Sequence, residues 1–325
     1  MTSSRELRVG VIGLGEHFRE ILLPALISQN NIILNAFCDR NSEKRAWAIK
    51  RFPNAVVTDL ASAIDFWAAV DCVVCCSYPE VHERVLALAI DHSVHCFVEK
   101  PAASKVGALD YLIDKNNQQN REKPIIRVGH VFRYVGGAAR FIEIASQQTL
   151  HCLEITYIGS GPRGSRWDMS PRVSFALTHL THAVDFVTAV AGRVISVKQV
   201  VWLGDVHKDS VAVTFETERC RLVTLTATNA ANAFTCKATA VTANGGTIHL
   251  DNLRTVTFTG DVSQEKRSGE VWKERDLGTH VQNDGYFDEL RDFFAEIRGE
   301  GACRLPDLAH ARHVLSVIEE ILGRG

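Results

Sequence analysis

Val9-Gly-Val-Ile-Gly-Leu-Gly15 is a strand-like apolar run that breaks into closely spaced glycines, and a helical pattern near His17–Gln29 follows at once. Strand, glycine turn, helix: that order decides the fold. Gly13 permits a tight turn, and Gly15 lets the backbone approach a pyrophosphate at a helix N-terminus. The third small residue of G-x-G-x-x-G/A is absent; Glu16, His17 and Phe18 open the helix, with Phe18 at that third place. Asp39 ends the next strand-like run, 24 residues after Gly15, near where an acid accepts the adenine-ribose hydroxyls. The plain alternatives are an ordinary glycine turn and a helix-capping aspartate in Cys38-Asp-Arg-Asn-Ser42. Arg40 is placed to receive a 2′-phosphate, so NAD and NADP both stay open.

Outward from this segment, β-rich runs alternate with helical patterns. Leu7–Ile12, Ile32–Cys38, Ala55–Thr58, Val70–Cys76, Val94–Val98 and Ile125–Gly129 read as strands. Ser42–Arg51, Leu60–Trp67, Pro79–Asp91 and Ser104–Asn117 read as helices, with Pro79 in a first turn and Ser104 as an N-cap. The strands are apolar nearly throughout, as expected when helices cover both faces of a parallel sheet. A doubly wound Rossmann domain is the economical solution. After about Gly129 the texture changes. Helices Gly136–Gln147 and Ser174–Ala191 flank the strand His151–Ile158 and a Gly-, Pro- and Arg-rich loop. Thr/Val-rich runs follow at Val194–Trp202, Ser210–Glu216, Arg221–Asn229, Lys237–Thr242, Thr247–Asp251 and Thr255–Thr259, with Asn244-Gly-Gly246 as a hairpin turn. Helices Gly285–Arg298 and Asp307–Leu322 close the chain.

Composition narrows the classes. The 325 residues suggest two domains at roughly 150 residues each. Thirty-six Lys+Arg against 38 Asp+Glu give a net charge of −2 and no electrostatic footprint for nucleic acid or an anionic membrane. No apolar stretch reads as a membrane span and the first residues lack a signal-peptide core. Nine cysteines, mostly inside apolar runs, read as reduced thiols of a cytoplasmic protein. Cys72-Val-Val-Cys75 matches C-x-x-C, but a strand sends i and i+3 to opposite faces, and no second pair completes a metal set.

The chemistry-bearing segments come next. Val73-Val-Cys-Cys-Ser-Tyr-Pro-Glu-Val-His82 leads through a helix to Val94-His-Cys-Phe-Val-Glu-Lys-Pro101. With Pro24-Ala-Leu26, Val128-Gly129 and Arg133, this resembles the Gfo/Idh/MocA family of oxidoreductases, named for glucose–fructose oxidoreductase and inositol dehydrogenase. The resemblance implies a dinucleotide site extended by Cys76, Ser77, His82, Glu99 and Lys100. A lysine at a strand's C-terminal edge can stabilise an alkoxide; a surface lysine paired with Glu99 is the plain alternative. For His82 that alternative is a helix-face histidine.

Leu177-Thr-His-Leu-Thr-His-Ala-Val-Asp185 resembles the family's D-x-G-x-H-x-x-D helix, which implies a catalytic role for His182 and a trailing role for Asp185. Spacing of i,i+3 puts the two on one face. Thr178 stands where the family has its catalytic aspartate, and Leu180 replaces the glycine. His179, one turn before His182, is placed to compensate in part. These losses point away from an unmodified sugar or polyol, toward a less polar substrate, a reductive direction or an impaired relative. Arg163, Arg166 and Trp167 form a basic loop placed to cover a cofactor cleft, and Trp167 and Arg133 join the substrate candidates.

The expectations are definite. Residues 1–124 form an α/β Rossmann domain, and residues 125–325 an α+β domain with an open, mainly antiparallel sheet. The function is NAD(P)-dependent hydride transfer at a hydroxyl/carbonyl of a small substrate, with Lys100 and His182 catalytic. An NAD-dependent lyase and a non-catalytic dinucleotide sensor stand as alternatives. The expected partners are a small-molecule substrate and copies of the chain in a homodimer or homotetramer, with no nucleic acid, membrane or metal.

Overall fold

Leu7–Ile12 forms β1 because its residues are almost all apolar and five of the six are buried. A computed structural model describes residues 5–159, 164–204, 208–260, 270–273 and 284–324. They divide into two compact units, one comprising residues 5–130 with 286–312, the other residues 131–273 as described, 284–285 and 313–324.

In the first unit, β2 (Ile32–Cys38), β3 (Val56–Thr58), β4 (Cys72–Cys75), β5 (His95–Glu99) and β6 (Ile126–Gly129) join β1 in a parallel sheet ordered β3-β2-β1-β4-β5-β6. Cys72, Val73, Val74 and Cys75 are wholly buried, which accounts for an apolar run without alternation. Strand order reverses between β1 and β4, the switch point outside whose carboxyl ends such sheets bind ligands. All nine cysteines are free; burial raises the Cys72, Cys75 and Cys96 thiols well above their ordinary range, the inert condition of core thiols. Ser104 is no helix cap: its amide and hydroxyl both donate to Glu83 Oε1, at 2.7 and 2.8 Å, and Lys105 stands at the cap without a side-chain bond.

The second unit is built on an eight-stranded sheet of β7 (Leu150–Ile158), β8 (Val194–Gly204), β9 (Asp209–Thr217), β10 (Val223–Thr228), β11 (Thr235–Thr242), β12 (Thr247–Asp251), β13 (Thr255–Thr259) and β14 (Glu270–Lys273). Its order is β14-β13-β12-β11-β7-β10-β9-β8, antiparallel throughout except where β7 runs parallel to β10. Leu153, Ile155, Val213, Phe215, Leu225 and Ala240 face inward and are buried. Glu154, Thr226 and Lys237 alternate with them and are exposed. Helices Gly136–Ser146 and Pro171–Ala191 pack on this sheet. The second starts three residues earlier than its apolar pattern, because Pro171 fits the first turn and Ser170 Oγ caps the Val173 amide. It contains a π-helical turn, Ala176–Leu180. It also corrects the reading that no segment is long and apolar enough for a membrane span. This helix qualifies by length and composition, yet 78% of the qualifying stretch is buried within the protein.

Candidate cofactor and catalytic sites

The glycine turn is fixed by close contact. Gly13 has φ +93°, and a Cβ there would stand 2.1 Å from the Cys76 carbonyl oxygen, so only glycine lets β1 and β4 end side by side. Gly15 is the opposite case, since nothing lies within 4 Å of where its Cβ would be. Asp39 ties the turn to β2: Oδ2 accepts from the Leu14 amide at 2.8 Å and Oδ1 from the Asn41 amide at 2.8 Å. The capping role belongs to Asn41, whose Oδ1 accepts from Glu43 and Lys44. Lys44 Nζ lies 3.6 Å from Asp39 Oδ2, and Arg40 is exposed.

Glu16 and His17 are exposed at the helix opening, but Phe18 is not. Its ring is wholly buried and meets Trp47 edge-on at 6.3 Å, so its side chain is a core residue and not a ligand contact. A π-helical turn, Phe18–Leu22, begins where the usual pattern has a small residue.

His82 is held by the protein on both sides of its ring. Its Nε2 accepts from the Ser77 amide at 2.9 Å, so Nδ1 carries the proton and donates to the Pro101 carbonyl, also at 2.9 Å. Both nitrogens are spent within the protein, and burial pushes the imidazole below its ordinary pKa. His82 pins the exit of β4 to the cis Lys100–Pro101 peptide and thereby positions Ser77 and Lys100.

Glu99, at the end of β5, accepts from the Lys100 amide at 3.2 Å and meets His17 Nε2 at 3.3 Å, which brings together three residues assigned separately from the sequence. Burial raises the Glu99 carboxyl, but the His17 hydrogen bond, with the His17 and Lys100 charges, outweighs it and holds it below its ordinary value. Two neighbours were missed. Tyr286 meets the His17 ring edge-on at 5.7 Å. Glu289 is wholly buried, and neither carboxyl oxygen has a hydrogen-bond partner among the described residues. Burial first, and the Glu99 charge second, push Glu289 far above the carboxylate range. The available signal was an acid amid Leu290, Phe293 and Phe294 on an amphipathic helix.

In the second unit, the turn Val131–Arg133 grips the helix by consecutive residues. Phe132 stacks on the half-buried His182 with centroids 4.7 Å apart and planes at 16°. Arg133 donates through Nε and Nη2 to both oxygens of buried Asp185, at 2.8–3.2 Å. His182 and Asp185 thus do share a face, but the carboxylate is bound to the guanidinium and is no backing for the imidazole. His179 is buried with Nδ1 3.2 Å from the Tyr157 hydroxyl. Burial raises the Tyr157 hydroxyl well above its ordinary range, keeping it a neutral donor. Thr178 and Trp167 are half-buried, and Trp167 and Asp168 are consecutive left-handed residues (φ 54° and 56°). Arg166 is exposed and its amide donates to Ser174 Oγ, while Arg163 lies outside the described residues. No group of three or more His, Cys, Asp and Glu suited to a metal occurs among the described residues.

The first unit fits a dinucleotide. An open space at Gly15 stands at the sheet's switch point, beside a fixed Asp39 whose carboxylate oxygens each have a second lone pair for a ribose hydroxyl. Residues 7–128 match the Gfo/Idh/MocA family profile, described as an oxidoreductase family with an NAD-binding Rossmann fold. Inositol 2-dehydrogenase of Paracoccus denitrificans is 27% identical over 140 residues, 40% of this chain and 39% of that protein's length. Among solved structures, a dehydrogenase from Chromobacterium violaceum superposes with TM-score 0.87 at 23% identity, covering 98% of this chain and 95% of that one. A levoglucosan dehydrogenase in complex with NADH and L-sorbose gives 0.81 at 17% identity, covering 98% and 96%. UDP-N-acetylglucosamine 3-dehydrogenase from Acidithiobacillus ferrooxidans gives 0.76 at 19%, covering 98% and 97%. The fold read from the sequence, a parallel Rossmann sheet followed by a mostly antiparallel one, is that of these structures, and the resemblance to Gfo/Idh/MocA holds.

Proposed function

With that resemblance as premise, we propose that the protein is an NAD(P)-dependent oxidoreductase acting on a hydroxyl/carbonyl pair of a small, sugar-derived or secondary-metabolic substrate in the cytoplasm. The observation that carries the reading is the uncrowded backbone at Gly15 beside Asp39, at the switch point of a parallel sheet. A nicotinamide dinucleotide held at Gly15 and Asp39 would supply the hydride acceptor for oxidation of a carbinol to a carbonyl. In this reading Lys100 lowers the energy of the developing alkoxide by its positive charge. His82 and Glu99 hold it in place, the first through Pro101 and the second through the Lys100 amide. His182 exchanges the hydroxyl proton, with the stacked Phe132 fixing its ring.

The test is steady-state kinetics of Lys100→Ala and His182→Asn with dinucleotide titration by calorimetry. Lys100→Ala is expected to lower kcat while cofactor affinity stays within a few-fold, and His182→Asn to cost roughly 10²–10⁴-fold in rate. Wild-type turnover in either variant returns that residue to a structural role. Bound cofactor without net NADH formation favours the lyase, and cofactor binding without turnover the sensor.

A further inference from the structure

The residues around His182 are mostly rings. Phe132 stacks on it, and Phe132 is met by Phe234 at 6.1 Å and 71° and by Tyr157 at 6.1 Å. Phe234 also meets Tyr157 edge-on, at 5.7 Å and 82°. Phe132 and Tyr157 are buried, whereas Phe234, one residue before β11, is 38% exposed, an accessible aromatic surface beside buried rings. Among the described residues, the polar side chains of the helix that carries His182 offer little to grip a polyol. Asp185 has both oxygens on Arg133, His179 is paired with Tyr157, and Thr178 brings no charge. A site that recognises several hydroxyls needs acceptors and donors fixed for each, because unmatched buried polar groups penalise binding heavily. Ring faces offer instead apolar area and offset or edge-on stacking.

We propose that the substrate at His182 is a secondary alcohol or ketone borne on, or next to, an aryl or otherwise unhydroxylated alicyclic ring, which packs against Phe234, and that Phe234 sets this specificity. The inference rests on the oxidoreductase reading for the chemistry, and on the second unit alone for the choice of substrate. Its redox step is the one already written: the carbinol carbon loses hydride to NAD(P)⁺, and the hydroxyl proton passes to His182.

The experiment pairs binding with turnover on the full chain. Saturation-transfer NMR with NADH present compares acetophenone and cyclohexanone with D-sorbitol and myo-inositol. Kinetics then compare 1-phenylethanol and cyclohexanol with the same polyols, for wild type, Phe234→Ala and Phe234→Tyr. The expected result is ring-compound KM values at least about tenfold below those of the polyols. Phe234→Ala raises the former about fivefold with kcat within threefold, and Phe234→Tyr restores them. Thermal melting checks that the variants are folded. Polyol turnover with equal or lower KM, or a Phe234→Ala effect equal on both classes, overturns the inference and leaves the oxidoreductase reading intact. Ring binding lost in Phe234→Ala, without turnover of any alcohol, supports the site and overturns the oxidoreductase reading. Binding of none of the four compounds overturns the inference.

Discussion

At the scale of single residues, the two glycines of the first turn have different jobs, and one comparison separates them. Gly13 combines φ +93° with a Cβ position 2.1 Å from a backbone oxygen, so Gly13→Ala forces either strain or parting of β1 from β4. We expect a loss of roughly 1–3 kcal/mol or more in unfolding free energy. A valine at Gly15 meets open space, so Gly15→Val should keep the wild-type Tm while losing dinucleotide binding. Melting curves and calorimetry on the pair decide it: a wild-type Tm for Gly13→Ala, or undiminished binding by Gly15→Val, removes the distinction. The positions of the glycines, Asp39 and Lys100 were legible in the sequence because they follow from local order: strand, turn, helix, strand edge. The contacts of Phe18 and His82 could not be read there, because they depend on distant residues, Trp47 in one case and Pro101 in the other.

Elements show where patterning succeeds and where it stops. The apolar cores of β1, β4 and β5 could be read directly, because strands covered on both faces carry few polar residues between their ends. The strand β14, Glu270-Val-Trp-Lys273, could not be read: it is four residues long, charged at both ends, and defined by pairing with β13. Glu289 belongs at this scale, since helix Tyr286–Ile297 carries it into an apolar face. Its folded pKa is raised above the ordinary value of 4.5, so the stability it contributes is full below about that pH and is lost as pH rises toward the folded value. Glu99 has the opposite sign: lowered, it adds stability above its unfolded pKa and gives it back as pH falls. Glu289→Gln keeps a neutral amide of similar shape, and its Tm advantage over wild type should grow as pH rises above about 4.5 toward the raised folded value. A Tm difference that stays constant across that range would show that Glu289 does not titrate between the two states.

For the whole molecule, the sheet of the second unit sets the expectation. Its outward residues include Thr156, Thr214, Thr224, Thr226 and Thr239, with Val201 and Leu203 exposed on β8. Such a face, long and β-branched, suits a copy of itself, and a homodimer or homotetramer is our proposal for its cover. Light scattering should give twice or four times the chain mass of 36.0 kDa, and Thr226→Arg should shift it to the single chain. A wild-type mass of 36.0 kDa ends the proposal. The bridge made by His82 has a spectroscopic consequence. An imidazole that accepts a backbone amide at one nitrogen and donates to a carbonyl at the other is locked in a single tautomer. Among thirteen histidines, one ¹⁵N ring pattern should therefore report Nδ1–H and hold unchanged from pH 5.5 to pH 8.5 while exposed rings titrate. Its disappearance on titration with denaturant would mark the moment when the end of β4 parts from Pro101, a built-in beacon for the first unit's integrity.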